Sequence, residues 1–72
     1  MKIFYDKDTD AAYLKMSDGQ ATGVVEVSEG VNLDLTEDGK IVGIEILDAT
    51  NKFPLQSLFS CEYDPKLLME NV

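Results

Sequence analysis

The sequence contains no histidine, no arginine and no tryptophan, and its single cysteine is Cys61. Without histidine, neither a histidine-based catalytic triad nor a histidine metal site can be built. Without arginine there is no bidentate fork for phosphate. One cysteine closes no internal disulfide, and no cysteine cluster is there to hold zinc. No apolar run approaches the roughly 20 residues that a membrane span needs. Met1-Lys2-Ile3-Phe4-Tyr5-Asp6 is too short and too charged for the apolar region of a signal peptide. These absences predict a cytoplasmic protein with no membrane contact and no cofactor.

What is present is acidic and short. In 72 residues there are 14 acidic side chains against 6 basic ones, all lysines, for a net charge of −8. Such a charge repels nucleic acid and anionic lipid, leaving a basic protein as the macromolecular partner that it favours. Residues 1–72 fit one domain. A chain this small buries only about 60% of the surface that it exposes unfolded. With no disulfide or metal staple, stability must come from good packing or a second subunit, and a homodimer is the expected solution.

From residue 2 to 48 the chain alternates apolar and polar residues, as strands with one buried face do. Val31, Leu33 and Leu35 are interleaved with Asn32, Asp34 and Thr36; Val42, Ile44 and Ile46 with Gly43 and Glu45. Turn signals at Asp18-Gly19, Ser28-Glu29-Gly30 and Asp38-Gly39 separate the runs. A two-residue Asp38-Gly39 loop sets Leu35 opposite Val42 and Leu33 opposite Ile44. A three-residue Ser28-Glu29-Gly30 loop sets Val27 opposite Val31 and Val25 opposite Leu33. A two-residue Asp18-Gly19 loop sets Ala12 opposite Val25, Leu14 opposite Gly23 and Met16 opposite Ala21. A looser Asp6 to Ala11 connection lets Tyr5 meet Ala12 and Ile3 meet Leu14.

Every apolar pair then falls on one face, which is the consistency expected of a specified fold. The expected fold is α+β and mostly β: a five-stranded antiparallel meander, about 2–6, 12–17, 20–28, 31–37 and 40–48. Its buried face carries Ile3, Tyr5, Ala12, Leu14, Met16, Val25, Val27, Val31, Leu33, Leu35, Val42, Ile44 and Ile46. Residues 1–49 form this core, and 50–72 a C-terminal helical segment. Pro54 opens a short helix through Phe59, and Asp64-Pro65 reads as the N-cap and first position of another from Lys66 to Glu70, bearing Leu67, Leu68 and Met69. Helices so short persist only when docked, and the apolar sheet face is the expected dock.

Several local runs carry a family pattern. They are Met1-Lys2-Ile3 with Tyr5-Asp6, Asp10-Ala11 with Tyr13-Leu14, Ser17-Asp18-Gly19, Glu26-Val27-Ser28-Glu29-Gly30-Val31, and Asp38-Gly39-Lys40-Ile41-Val42-Gly43-Ile44-Glu45-Ile46-Leu47-Asp48-Ala49. With them the chain, to about Ala49, resembles the small prokaryotic proteins catalogued as domain of unknown function 2283. The resemblance implies a small β-rich domain with no assigned activity and no agreed catalytic residues. Such proteins are sometimes encoded beside small basic ribonuclease-like toxins, which implies an antitoxin-like, neutralising role.

Candidate chemistry is sparse. Asp6, Asp8 and Asp10 have the alternate-carboxylate spacing that starts a calcium loop, but Ala11 stands where the tight-turn glycine belongs and Ser17 where the bidentate Glu belongs. The competing reading is a solvated turn whose Asp side chains cap backbone donors. Glu26, Asp34 and Glu45 fall on the outer sheet face, where paired carboxylates do acid–base work only if desolvated. Phe4, Tyr13 and Val24 share that face, side by side across the first three strands, as a candidate contact patch for a second layer or subunit. Cys61 has no activating cation beside it and reads as a half-buried small residue. The sequence therefore favours a non-enzymatic acidic interaction module. A cation-binding protein or small carboxylate enzyme, and an orphan structural domain, are the alternatives.

Overall fold

A computed structural model describes residues 1–66. Five strands form in it: β1 (Lys2–Asp6), β2 (Ala11–Lys15), β3 (Gly23–Ser28), β4 (Val31–Leu35) and β5 (Ile41–Ile46). They make one antiparallel sheet, so the mostly-β expectation holds, with strands shorter than the alternation alone suggests.

The strand order corrects the meander. The sheet runs β1-β2-β5-β4-β3. Ala12 faces Ile46 and Leu14 faces Ile44, in place of Val25 and Gly23 on β3. A β1–β2 hairpin is thus laid against the last strand of a β3–β4–β5 meander, a Greek-key arrangement. The physical reason lies in β5. Val42, Ile44 and Ile46 make it the most apolar strand, and a meander would leave it at an edge. In the observed order it is central, and Val42 and Gly43 are buried. The strand sent to the edge instead is β3, Gly23-Val24-Val25-Glu26-Val27-Ser28, all six of whose residues are exposed.

Asp18-Gly19 is therefore no hairpin loop. Residues 16–22 cross the end of the sheet past β5 and β4. The Met16 and Ser17 amides both donate to the Val42 carbonyl, at 2.7 and 3.1 Å, and the Thr22 amide donates to Leu35 O at 2.9 Å. Gly19 lies so close to the Thr36 and Val42 side chains that a Cβ there would sit 3.0 Å from Thr36 Cγ2.

The other two loops trade their expected lengths, and a bulge in each restores the register. After β4 the Gly39 amide donates to Thr36 O and the Thr36 amide to Lys40 O, so the loop has three residues, Glu37-Asp38-Gly39. Leu35 consequently pairs with Ile41, one step off, yet beyond an irregularity there Asp34 faces Gly43 and Leu33 faces Ile44 as expected. Ser28 pairs with Val31 across a two-residue Glu29-Gly30 loop, and an irregularity at Val27 brings Val25 back opposite Leu33. Gly30 and Gly39 take the positive φ, 71° and 86°, that each tight loop demands. A slip of one residue would turn a whole strand inside out, which is why each bulge compensates its loop.

Two rows of apolar residues result on one face. Ile3, Leu14, Ile44, Leu33 and Val25 form a line across all five strands, and Tyr5, Ala12, Ile46 and Val31 a second. The short helix expected from Pro54 through Phe59 is present as a 3-10 turn. Two 3-10 turns follow β5, Ala49–Asn51 and Leu55–Phe59. The first buries Ala49; the second buries nothing, and Phe59 is 86% exposed. Its five residues are too few to build a continuous apolar stripe against the sheet. The Lys66 amide does donate to Asp64 Oδ1 at 2.9 Å, the capping bond expected of Asp64-Pro65. The rest of that expected helix, with Leu67, Leu68 and Met69, lies outside the described residues.

Candidate functional site

The outer face is polar but not loose. Cross-strand partners place Phe4, Tyr13, Glu45, Asn32 and Glu26 in one row and Lys2, Lys15, Gly43, Asp34 and Val24 in the next. Tyr13 on β2 leans diagonally over β5, and its hydroxyl donates to Asp34 Oδ2 on β4 at 2.9 Å. Gly43 makes this reach possible, because a Cβ at that position would overlap the Tyr13 ring and hydroxyl and lie 3.0 Å from Leu14 O. Asn32 Nδ2 donates to Glu45 Oε1 at 3.2 Å beside it. Glu26, Asp34 and Glu45 do fall on neighbouring strands, as the alternation predicts, and two of the three are tethered by neutral donors.

The Tyr13 phenol is held above its ordinary pKa, first by the bond to Asp34, then by burial and by the Asp34 and Glu45 charges. It stays protonated and donating, a geometry that braces the face rather than supplying a base.

The patch of Phe4, Tyr13 and Val24 is corrected by the strand order. Phe4 and Tyr13 are direct partners, but β5 and β4 separate Tyr13 from Val24. Phe4 and Val24 stand at opposite edges, 55% and 65% exposed.

The aspartates of the first turn play unlike parts. Asp6 Oδ1 accepts from the Asp8 amide at 2.9 Å, the backbone-capping role of the competing reading. Asp10, in the left-handed region at φ 52°, is spoken for. Its carboxylate accepts from the Tyr5 hydroxyl at 2.8 Å, the Thr50 hydroxyl at 2.6 Å and the Thr50 amide at 3.2 Å. The Ala49 amide donates to the Asp10 carbonyl at 3.0 Å. Bonds from Thr50 and then Tyr5 hold the Asp10 carboxyl below its ordinary pKa. This clasp fastens the chain leaving β5 to the first turn, and it was not legible in the sequence, where Asp10 and Thr50 lie forty residues apart. Among the described residues no three Asp, Glu or Cys side chains converge as a cation cage. Cys61 is exposed rather than half-buried, as are its neighbours Ser60 and Glu62.

Fold and faces together define a small Greek-key sheet domain with one braced polar face and one apolar face that is partly exposed among the described residues. The chain belongs to the family described as protein of unknown function (DUF2283), whose model matches residues 2–49, a span that takes in all five strands and ends at Ala49. A Methanosarcina mazei protein provisionally named hypoxanthine phosphoribosyltransferase is 37% identical over 54 residues, covering 75% of this chain. The chain spans only 43% of that relative's length. No solved structure matches. Among the described residues, no helix is long and apolar enough to cross a membrane.

Proposed function

We propose that this chain is a non-enzymatic protein-interaction module whose apolar sheet face is a contact surface. One observation carries the reading. The face holds two unbroken apolar rows, yet the described residues bury no large side chain fully, and Ile3 and Val25 at the ends of the first row are 39% and 47% exposed. Contiguous apolar surface of this kind marks a place where another polypeptide sits. The transferase name of the Methanosarcina relative supports no rival reading of comparable strength. It belongs to a longer protein, of which the match covers only 43%, and a sugar-phosphate substrate would meet a chain of net charge −8.

A dye that fluoresces on apolar surface tests this across a dilution series, with circular dichroism confirming the fold. The folded chain should bind the dye at its most dilute, and Val25→Lys should weaken that binding. A chain that is monomeric and dye-silent at every concentration would refute the reading.

The acidic side supports a second contact. Glu26, Asp34 and Glu45 span β3, β4 and β5 on the outer face, a surface suited to a basic protein, and the antitoxin-like role that the family resemblance implies would use it. Binding of the protein encoded next to this one should then weaken steeply between about 50 and 300 mM salt, as screening shortens the reach of surface charge. A neighbour that binds with no salt dependence, or not at all, removes this second contact.

A further inference from the structure

We infer that the occupant of the apolar face is a second copy of this chain, packed face to face about a two-fold axis near Ile44. The inference rests on the interaction reading above and names its partner. Three observations select a like copy. The first is area. A folded monomer of 8.0 kDa exposes about 4,500 Å², whereas this chain exposes 5681 Å². The excess of about 1,200 Å² exceeds the roughly 800 Å² that each partner contributes to a standard stable interface. Part of it belongs to the segment around Phe59, which is 86% exposed, and the exposed ends of the first apolar row, Ile3 and Val25, contribute to the rest.

The second is charge. Each copy carries −8, which would oppose self-association through the outer face or the loops. Neither apolar row contains a charged residue. Face-to-face packing, with sheets about 10 Å apart, points the Glu26, Asp34 and Glu45 side chains of the two copies in opposite directions, away from the contact. A basic partner, by contrast, gains nothing from this face. The third is symmetry. The row Ile3, Leu14, Ile44, Leu33, Val25 is aliphatic from end to end and has Ile44, on the central strand, at its midpoint. A surface so uniform is self-complementary about that point, as an isologous interface must be. Aligned sheets crossing at about 30° would interdigitate these side chains and supply the core that a 72-residue domain is short of.

Neighbouring residues on the edge strands provide the test, because each pair points to opposite faces. Sedimentation velocity and light scattering at 1–200 µM should give twice the 8.0 kDa chain mass. The double variant Ile3→Lys/Val25→Lys should sediment as a folded monomer, its dimer dissociation constant raised by about 100-fold or more, because two ammonium groups cannot be desolvated there. Phe4→Lys/Val24→Lys should remain dimeric with wild-type affinity. If the double variant on the apolar face fails to fold, the single Val25→Lys variant, on an edge strand, makes the same comparison with Val24→Lys. An 8.0 kDa species throughout, or a dimer broken by the outer-face pair, overturns the inference. A monomer that binds apolar dye would leave the contact-surface reading standing with a different occupant. A monomer that does not would remove both.

Discussion

Gly43 is the residue whose replacement has the most specific consequence. In the interior of a strand, glycine is ordinarily a liability of about 0.5–1 kcal/mol relative to alanine. Here the Tyr13 ring occupies the space that a methyl group would take. Gly43→Ala must push the ring aside, breaking the 2.9 Å bond to Asp34, and the 3.0 Å approach of Leu14 O leaves little room for the backbone to yield. Overpacking of this kind costs about 1–3 kcal/mol, which exceeds the propensity gain. For a domain of this size about 2 kcal/mol lowers the melting temperature by about 8–16 °C. In a Tyr13→Ala background only the 3.0 Å approach of Leu14 O remains, and the same substitution should cost clearly less. Thermal melts of the four proteins at one fixed concentration, needed because association shifts the midpoint, close a double-mutant cycle. The coupling should be about 1–3 kcal/mol. If the two substitutions add to within about 0.5 kcal/mol, as independent sites do, Tyr13 is not what the glycine accommodates and the account of the outer face is wrong.

Three further outcomes follow from the same geometry. Asp10→Asn, which keeps a residue tolerant of the left-handed backbone, should lower the melting temperature at neutral pH; because the folded Asp10 carboxyl titrates below its unfolded value, its stabilising effect is complete above the ordinary carboxylate pKa and is lost as pH falls through the folded one, so the two proteins should melt ever closer together below about pH 4. A gap that is constant from pH 7 to pH 2 would show that the charge of Asp10 does not hold the clasp. Gly39→Ala should cost about 1–2 kcal/mol for the left-handed backbone alone, since nothing lies within 4 Å of the new Cβ, and chemical denaturation should find Gly39→Asn less costly. Calcium or magnesium at micromolar concentration should leave the melting temperature unchanged, and stabilisation abolished by Asp8→Asn would revive the cation-binding alternative.

The alternation of Val31 to Leu35 and of Ile41 to Ile46 made both strands, their antiparallel pairing and their deep register readable, because side-chain direction repeats every two residues whatever the loop does. The same holds for Ile3 opposite Leu14 in the β1–β2 hairpin. Loop lengths were not readable from Asp38-Gly39 and Glu29-Gly30, since a bulge at the strand end can absorb one residue in either direction. Gly43 carried a signal, a glycine amid β-branched neighbours, that pointed to a close approach without saying by what. The Asp10–Thr50 clasp carried none.

What the sequence determined by itself is local and periodic: five strands, the apolar face of each, the absence of any histidine, arginine or disulfide chemistry, and the family. Strand order was left to the tertiary structure. An Asp-Gly pair between β2 and β3 permits a hairpin there, but local turn chemistry is worth little beside burial of the strand that holds Val42, Ile44 and Ile46. Placing β5 at the centre half-buries its neighbours β2 and β4, sends the β3 valines to an edge and, among the described residues, leaves the ends of the apolar face exposed. Which strand is central depends on the sum of apolar area removed from water across the whole sheet, a quantity that exists only once all five strands are assembled.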